Sequence, residues 1–187
     1  MSEAGEKRIK DYVDSLKLDE KISIEEFRKA IKSAYMDRSF QIYFIWKKLK
    51  ELYPEVDANR VIREGSFDFG VFQGKKIVEK YGGTENVGPS EAVLGQTSKG
   101  GFLVFEQTLL ELEDDRAIKH FRNCPHVEAL TELGESPETI KMFCRDMVGH
   151  CDYGICEPFV NVDITFPSTV ADGEGKGCMM TITRKKK

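Results

Sequence analysis

The sequence predicts an α+β protein: long N-terminal helices packed on a roughly four-stranded antiparallel sheet, with two inserted helices. Three observations carry this expectation. A capping box opens a long stretch with apolar residues at helical spacing. Two pairs of segments alternate apolar and polar residues, as half-buried strands do. Between these pairs lie two short segments, each with its own helix-start signal.

Residues 6–17 place Ile9, Tyr12, Val13 and Leu16 among charges, the spacing of a short amphipathic helix. Ser23 and Glu26 then form a capping box, in which the Ser oxygen takes the N3 amide and the Glu reaches back. The helix they start runs to about Leu52, with Phe27, Ile31, Ala34, Tyr35, Ile42, Ile45, Trp46 and Leu49 as its apolar stripe. The stripe is aromatic-rich, which suits a core and also a pocket wall.

Tyr53-Pro54 ends that helix, because proline disfavours helix in the residue before it. A second helix is expected from Asp57 to Tyr81, closed by Gly82-Gly83. Gly65, Gly70 and Gly74 inside it each cost about 1 kcal/mol relative to alanine. Such a cost implies close packing, of a neighbouring helix or of a ligand against bare backbone.

Glu85 to Gly101 reads as a connection with one helical turn near Ser90 to Leu94, placed where a lid could lie. Phe102 to Leu112 is apolar and ambiguous in its first half; exposed there, it would point to a larger assembly or homo-oligomer. Thr108 to Glu113 and Arg116 to Asn123 alternate as strands around an Asp114-Asp115 turn. After Cys124-Pro125-His126 a short helix runs to Leu133 and stops at Gly134. Ser136-Pro137-Glu138 starts the next, which carries Cys144, Asp146 and His150. Val160 to Phe166 and the segment from Cys178 form the last strand pair, joined through a Gly-rich turn from Asp172 to Gly177.

A length of 187 residues fits a single domain, 1–187, with a helical half (1–83) and an α/β half (102–184). No run reaches the roughly 18 apolar residues of a membrane span. Residues 1–10 are polar, unlike a secretory signal, so the expected location is cytoplasmic, where thiols stay reduced. A net charge of −4 disfavours a nucleic-acid footprint, and the one basic run, from Arg184 to Lys187, reads as a solubilising end. The expected partner is a small-molecule substrate.

All five cysteines fall between residues 123 and 184, and an odd number cannot all pair within one chain. Three constructions are open. Cys124 could act as a nucleophile with His126 or His150 as its base; free Cys has a pKa of about 8.5, and the helix start after Cys124 would lower it. Cys124, Cys144 and Cys178 could instead hold a metal, zinc foremost, although 19 and 33 intervening residues match no standard zinc spacing. His150-Cys151 and Cys156 would add ligands without a recognisable motif. Lastly, Asp146 could orient His150 as a general base, since residues four apart share a helix face. Free cysteines also serve as small apolar core residues, and that reading suits Cys144 and Cys178.

Cys124-Pro125, the apolar helix ending Leu133-Gly134, Phe143-Cys144-Arg145-Asp146, and the Gly-containing turn into Cys178 together resemble the L-2-amino-thiazoline-4-carboxylic acid hydrolase family. The aromatic helix and the Gly-studded helix fit the same layout. The resemblance implies opening of a cyclic amidine by water, with attack on the C=N carbon and protonation of the departing nitrogen. It implies Cys124, Cys144, Asp146 and Cys178 as the site core, with His126 or His150 carrying protons. The ending Gly173-x-Gly175-x-Gly177-Cys178 also resembles the 4-vinyl reductase domain, a small-molecule-binding module; on that likeness the chain would be a non-catalytic ligand- or metal-binding protein.

Overall fold

Helix α1 (Ile24–Leu52) begins as its capping box requires. The Ser23 hydroxyl accepts the Glu26 N–H at 3.2 Å, and the Glu26 carboxylate accepts the Ser23 N–H at 2.7 Å. In the computed structural model, the described residues are 21–185 except 174 and 176, together with 7, 10–12, 14 and 15. Most of the helix expected over 6–17 therefore lies outside the described residues, and those described are helical. Lys186, Lys187 and two positions of the Gly-rich turn also lie outside them.

The buried face of α1 is turned slightly from the expected stripe. Tyr43 is 2% exposed and packs on Trp46, whereas Ile45 is 49% exposed. The cause is tertiary: Tyr43 and Trp46 meet Ala129, Leu130, Ile140, Phe143 and Met147 in one apolar cluster. Helix α2 (Ala58–Tyr81) starts where the Asp57 carboxylate accepts the Arg60 N–H at 3.0 Å, and ends at Gly82 in the left-handed conformation, φ +77°.

The connection after α2 is more structured than its composition suggests. A 3₁₀ turn (Thr84–Asn86) precedes α3 (Pro89–Gly95) and α4 (Lys99–Val104). Val87, Ala92, Val93 and Val104 are completely buried, so this segment supplies core rather than a lid. In the stretch that follows, Phe102 is exposed and Phe105 faces inward. Glu106, at φ +47°, turns the chain into the sheet, and ion pairs from Arg28 and Arg122 hold its carboxylate.

Four antiparallel strands, β1 (Gln107–Leu112), β2 (Arg116–Phe121), β3 (Val162–Thr165) and β4 (Cys178–Arg184), lie in the order β1-β2-β4-β3. The fold is α+β, as the strand alternation and the helix signals predict. Register pairs Ala117 with Ile182, Lys119 with Met180 and Phe121 with Cys178. The inner face rests on Val87, Ala92, Val93 and Phe159. Val160 precedes β3 and is exposed, so the expected strand is shorter at that end.

The expected second inserted helix is divided. Helix α5 (Pro125–Glu132) and α6 (Pro137–Met142) are regular, but residues 143–148 form a widened π-helical segment before α7 (His150–Cys156). Its signature is the Gly149 N–H donating to the Cys144 carbonyl, five residues back, at 2.8 Å.

Gly70 and Gly74 on α2 have the neighbour that their cost implied. A Cβ on either would run into a backbone carbonyl of α7, at Cys151 or Ile155, and a Cβ on Gly154 would run into the Phe67 carbonyl. The backbones of α2 and α7 are therefore in direct contact. Gly65 is different, since nothing lies near its missing Cβ.

Overpacking of this kind costs roughly 1–3 kcal/mol. Gly154→Ala is therefore expected to destabilise the fold by about that amount in urea denaturation. Gly65→Ala is expected to stabilise it by up to about 1 kcal/mol, through helix propensity alone.

Candidate active site

A cavity of about 570 Å³ opens between α1, α2, α7 and the inner face of the sheet. Its volume falls in the range of small-molecule sites. Cys124, Cys144, Cys151 and Cys178 line it, together with His126, Asp152, Lys119 and Arg38.

Cys124 occupies the N-cap position of α5, in extended conformation with Pro125 at the first helical position. Its Sγ faces the N–H groups of His126 and Val127, which the helix leaves unpaired. Cys144 comes from the widened segment and donates its S–H to Cys124. That donated bond, aided by the two backbone N–H groups, holds the Cys124 thiol below the usual thiol range despite burial. The same bond and the same burial push Cys144 well up. One proton thus stays on Cys144, and Cys124 is the sulfur that ionises first.

Cys178 opens β4 beside Phe121 and accepts the Val170 N–H at 3.2 Å. Burial pushes its thiol up to about 12 against that bond. Burial, reinforced by the Asp152 charge, also takes Cys151 to about 12. Cys156 sits apart, 5% exposed in the core under the sheet, and is a packing residue there.

His126 is engaged at both nitrogens. Ser39 lies 2.6 Å from Nδ1 and Arg38 lies 3.3 Å from Nε2. The Ser39 hydroxyl donates to the Tyr35 carbonyl at 2.9 Å, so Nδ1–H must donate to Ser39, which leaves Nε2 to accept from Arg38. Burial, with the Arg38 charge, drives the imidazole down to about 3. His126 is therefore neutral near physiological pH and has no lone pair free to take a proton from Cys124.

Asp146 and His150 do not line the cavity. Asp146 is exposed, and the His150 ring packs on Tyr153 with centroids 5.5 Å apart. The widened turn holds an extra residue, so the spacing of a regular α-helix does not carry through it to His150. The same turn points Cys151, Asp152 and Ile155 of α7 at the cavity. Burial raises the Asp152 carboxyl to about 6, against the attraction of Lys119 and Arg38.

Lys119 is 1% exposed on the inner face of β2. Burial brings its ammonium down to about 8, while Asp152 and Cys156 act to hold it up. Strand alternation puts Ala117, Lys119 and Phe121 on one face, so a lysine in an apolar row was the available signal for this residue. Asp152 gave no such signal.

Among the described residues, no three of His, Cys, Asp or Glu are grouped closely enough to hold a metal ion. Cys124, Cys144 and Cys178 share a cavity without forming a ligand set, so the residues present do not fit the zinc site considered from sequence. Among the described residues, no helix is long and apolar enough to cross a membrane.

Fold and cavity together define an α+β protein with a thiol-lined cavity of small-molecule size. The chain matches the L-2-amino-thiazoline-4-carboxylic acid hydrolase family over residues 28–180 and belongs to that family. A comparison with curated proteins returned no match.

Two outcomes follow from these environments. Near neutral pH iodoacetamide should alkylate Cys124 before the other four thiols, and Cys144→Ala should slow that reaction, as peptide mass mapping would report. The folded Asp152 carboxyl lies above its ordinary 3.8, at about 6, so the folded state holds its proton more tightly than the unfolded state does. Stability from this group is thus present at low pH and lost as pH rises through that window. Urea denaturation of Asp152→Asn across the window should show a correspondingly flatter pH dependence than the parent.

Proposed function

We propose that the chain opens a small cyclic amidine of the 2-aminothiazoline-4-carboxylate type by adding water, with Cys124 as the nucleophile. The observation that carries this reading is the Cys124–Cys144 pair, one sulfur biased toward thiolate at a helix start inside the cavity. The amidine carbon is bonded to three heteroatoms and is electrophilic. The Cys124 thiolate adds to it, and the C=N electron pair moves to the ring nitrogen, which takes a proton. Breaking a ring bond to that carbon expels a protonated heteroatom. Water then attacks the same carbon and releases Cys124, so one water is consumed overall.

Asp152 suits the proton transfers, because a carboxyl titrating at about 6 can both give and accept a proton near neutrality. This reading moves the acid–base role from Asp146, His150 and His126 to Asp152. It treats the chain as one domain, since both the helical half and the α/β half wall the cavity. A reducing cytoplasmic setting would keep the thiolate active.

One observation favours a second reading, a non-catalytic small-molecule-binding module. His126, the histidine that lines the cavity, has both nitrogens engaged and is neutral.

Turnover of 2-aminothiazoline-4-carboxylate decides between the two. On the hydrolase reading, Cys124→Ser lowers kcat by about three orders of magnitude or more, and Asp152→Asn by roughly 10²-fold, the usual worth of acid–base catalysis. The parent's kcat also falls as pH drops below about 6, where Asp152 gains a proton. Saturable binding by the parent with no turnover would support the binding module instead.

A further inference from the structure

Three polar residues of the cavity wall take no part in the thiol chemistry. Lys119 is fully buried, and its strand neighbours are Leu109 on β1 and Met180 on β4. Its ammonium has three N–H groups, and the hydrogen bond it makes, to the Thr97 hydroxyl, is long at 3.4 Å. Two amide oxygens stand in the same wall: Gln107 Oε1 and Gln96 Oε1 are buried and have no hydrogen-bond partner. Gln107 is only 8% exposed.

Buried polar groups are normally satisfied, and those left open mark places where something else completes the bonding. Here one cationic side chain and two glutamines line a common space. The complementary ligand is therefore a small organic anion that also carries N–H groups. A neutral hydrocarbon would leave both amide oxygens unsatisfied and the ammonium short of acceptors, and a simple inorganic anion would leave both amide oxygens so.

The sheet fixes the scale. Lys119 and Met180 lie one inner-face step from Phe121 and Cys178, about 7 Å along the strands. A small ring bearing one anionic substituent spans such a gap, with its reactive carbon toward the thiols and its anion toward the lysine.

We propose that Lys119, Gln96 and Gln107 form the recognition subsite of the cavity, Lys119 holding the ligand's carboxylate and the two glutamine oxygens its N–H groups. The proposal rests on the hydrolase reading for the identity of that ligand. It makes Lys119 a specificity-determining residue.

Calorimetric binding of 2-aminothiazoline-4-carboxylate and of 2-amino-2-thiazoline, which lacks the carboxylate, tests this on the parent and on Lys119→Met. The parent should bind the acid at least about tenfold more tightly, the scale of one charge-assisted hydrogen bond. Lys119→Met should lose that preference, and because the substitution leaves the buried Asp152 carboxyl without its cationic neighbour, its ligand-free melting temperature should fall. Equal binding of the two compounds by the parent overturns the subsite, and so does a folded variant that keeps the preference. Selective binding of the acid without turnover leaves the subsite standing and removes the hydrolase reading. Turnover of both compounds alike does the reverse, and a parent that binds neither compound removes both.

Discussion

The contact between the backbones of α2 and α7 is the constraint on which the rest of the molecule depends. Gly70, Gly74 and Gly154 let the two helices approach until carbonyl oxygens fill the space that side chains would occupy. No other residue permits that approach, which is why the helix-propensity cost of glycine is accepted there. The contact fixes the height and rotation of α7, and with it the positions of Cys151, Asp152 and Ile155 on the cavity wall. It also anchors the end of the widened segment, so that Cys144 reaches Cys124 at the start of α5.

The chemistry of the cavity arises from competing environments rather than from any one reactive group. Burial alone would keep every thiol protonated. Cys124 is the more buried sulfur and escapes because the Cys144 thiol and the start of α5 favour its thiolate, whereas the half-buried Cys151 and Cys178 lack that set. Asp152 and Lys119 each titrate nearer neutrality than usual, since burial disfavours both charges and their mutual attraction only partly offsets it. Opposed shifts of this kind are common where proton transfer or ligand recognition takes place.

Much of the architecture was legible in the sequence because it is encoded locally. The Ser23–Glu26 capping box, the Asp57 and Ser136 caps, the Gly82 stop and the alternation of β2 and β4 each act within a few residues, and each appears where expected. The family was legible through Cys124-Pro125, Phe143-Cys144-Arg145-Asp146 and the turn into Cys178. What could not be read was tertiary. The rotation that buries Tyr43 and exposes Ile45 depends on the partners α1 meets. The structure of 84–104 depends on burial, since its Gly, Ser and Pro content reads as loop. Asp146 entered the site through the family resemblance, and its pairing with His150 assumed a regular helix, whereas a widened turn has no dependable sequence signature. Lys119 was not singled out, although the alternation of β2 places it between Ala117 and Phe121 on one face.

The widened turn at 143–148 carries one residue more than a regular helix would need. Deleting a single residue there would restore an ordinary helix and rotate everything after it by about 100°. The thiol and carboxylate of α7 would then swing off the cavity, while the glycine contact would resist the rotation. Evolution could thus exchange the reactive lining of this scaffold by gaining or losing one codon, with every strand left in place.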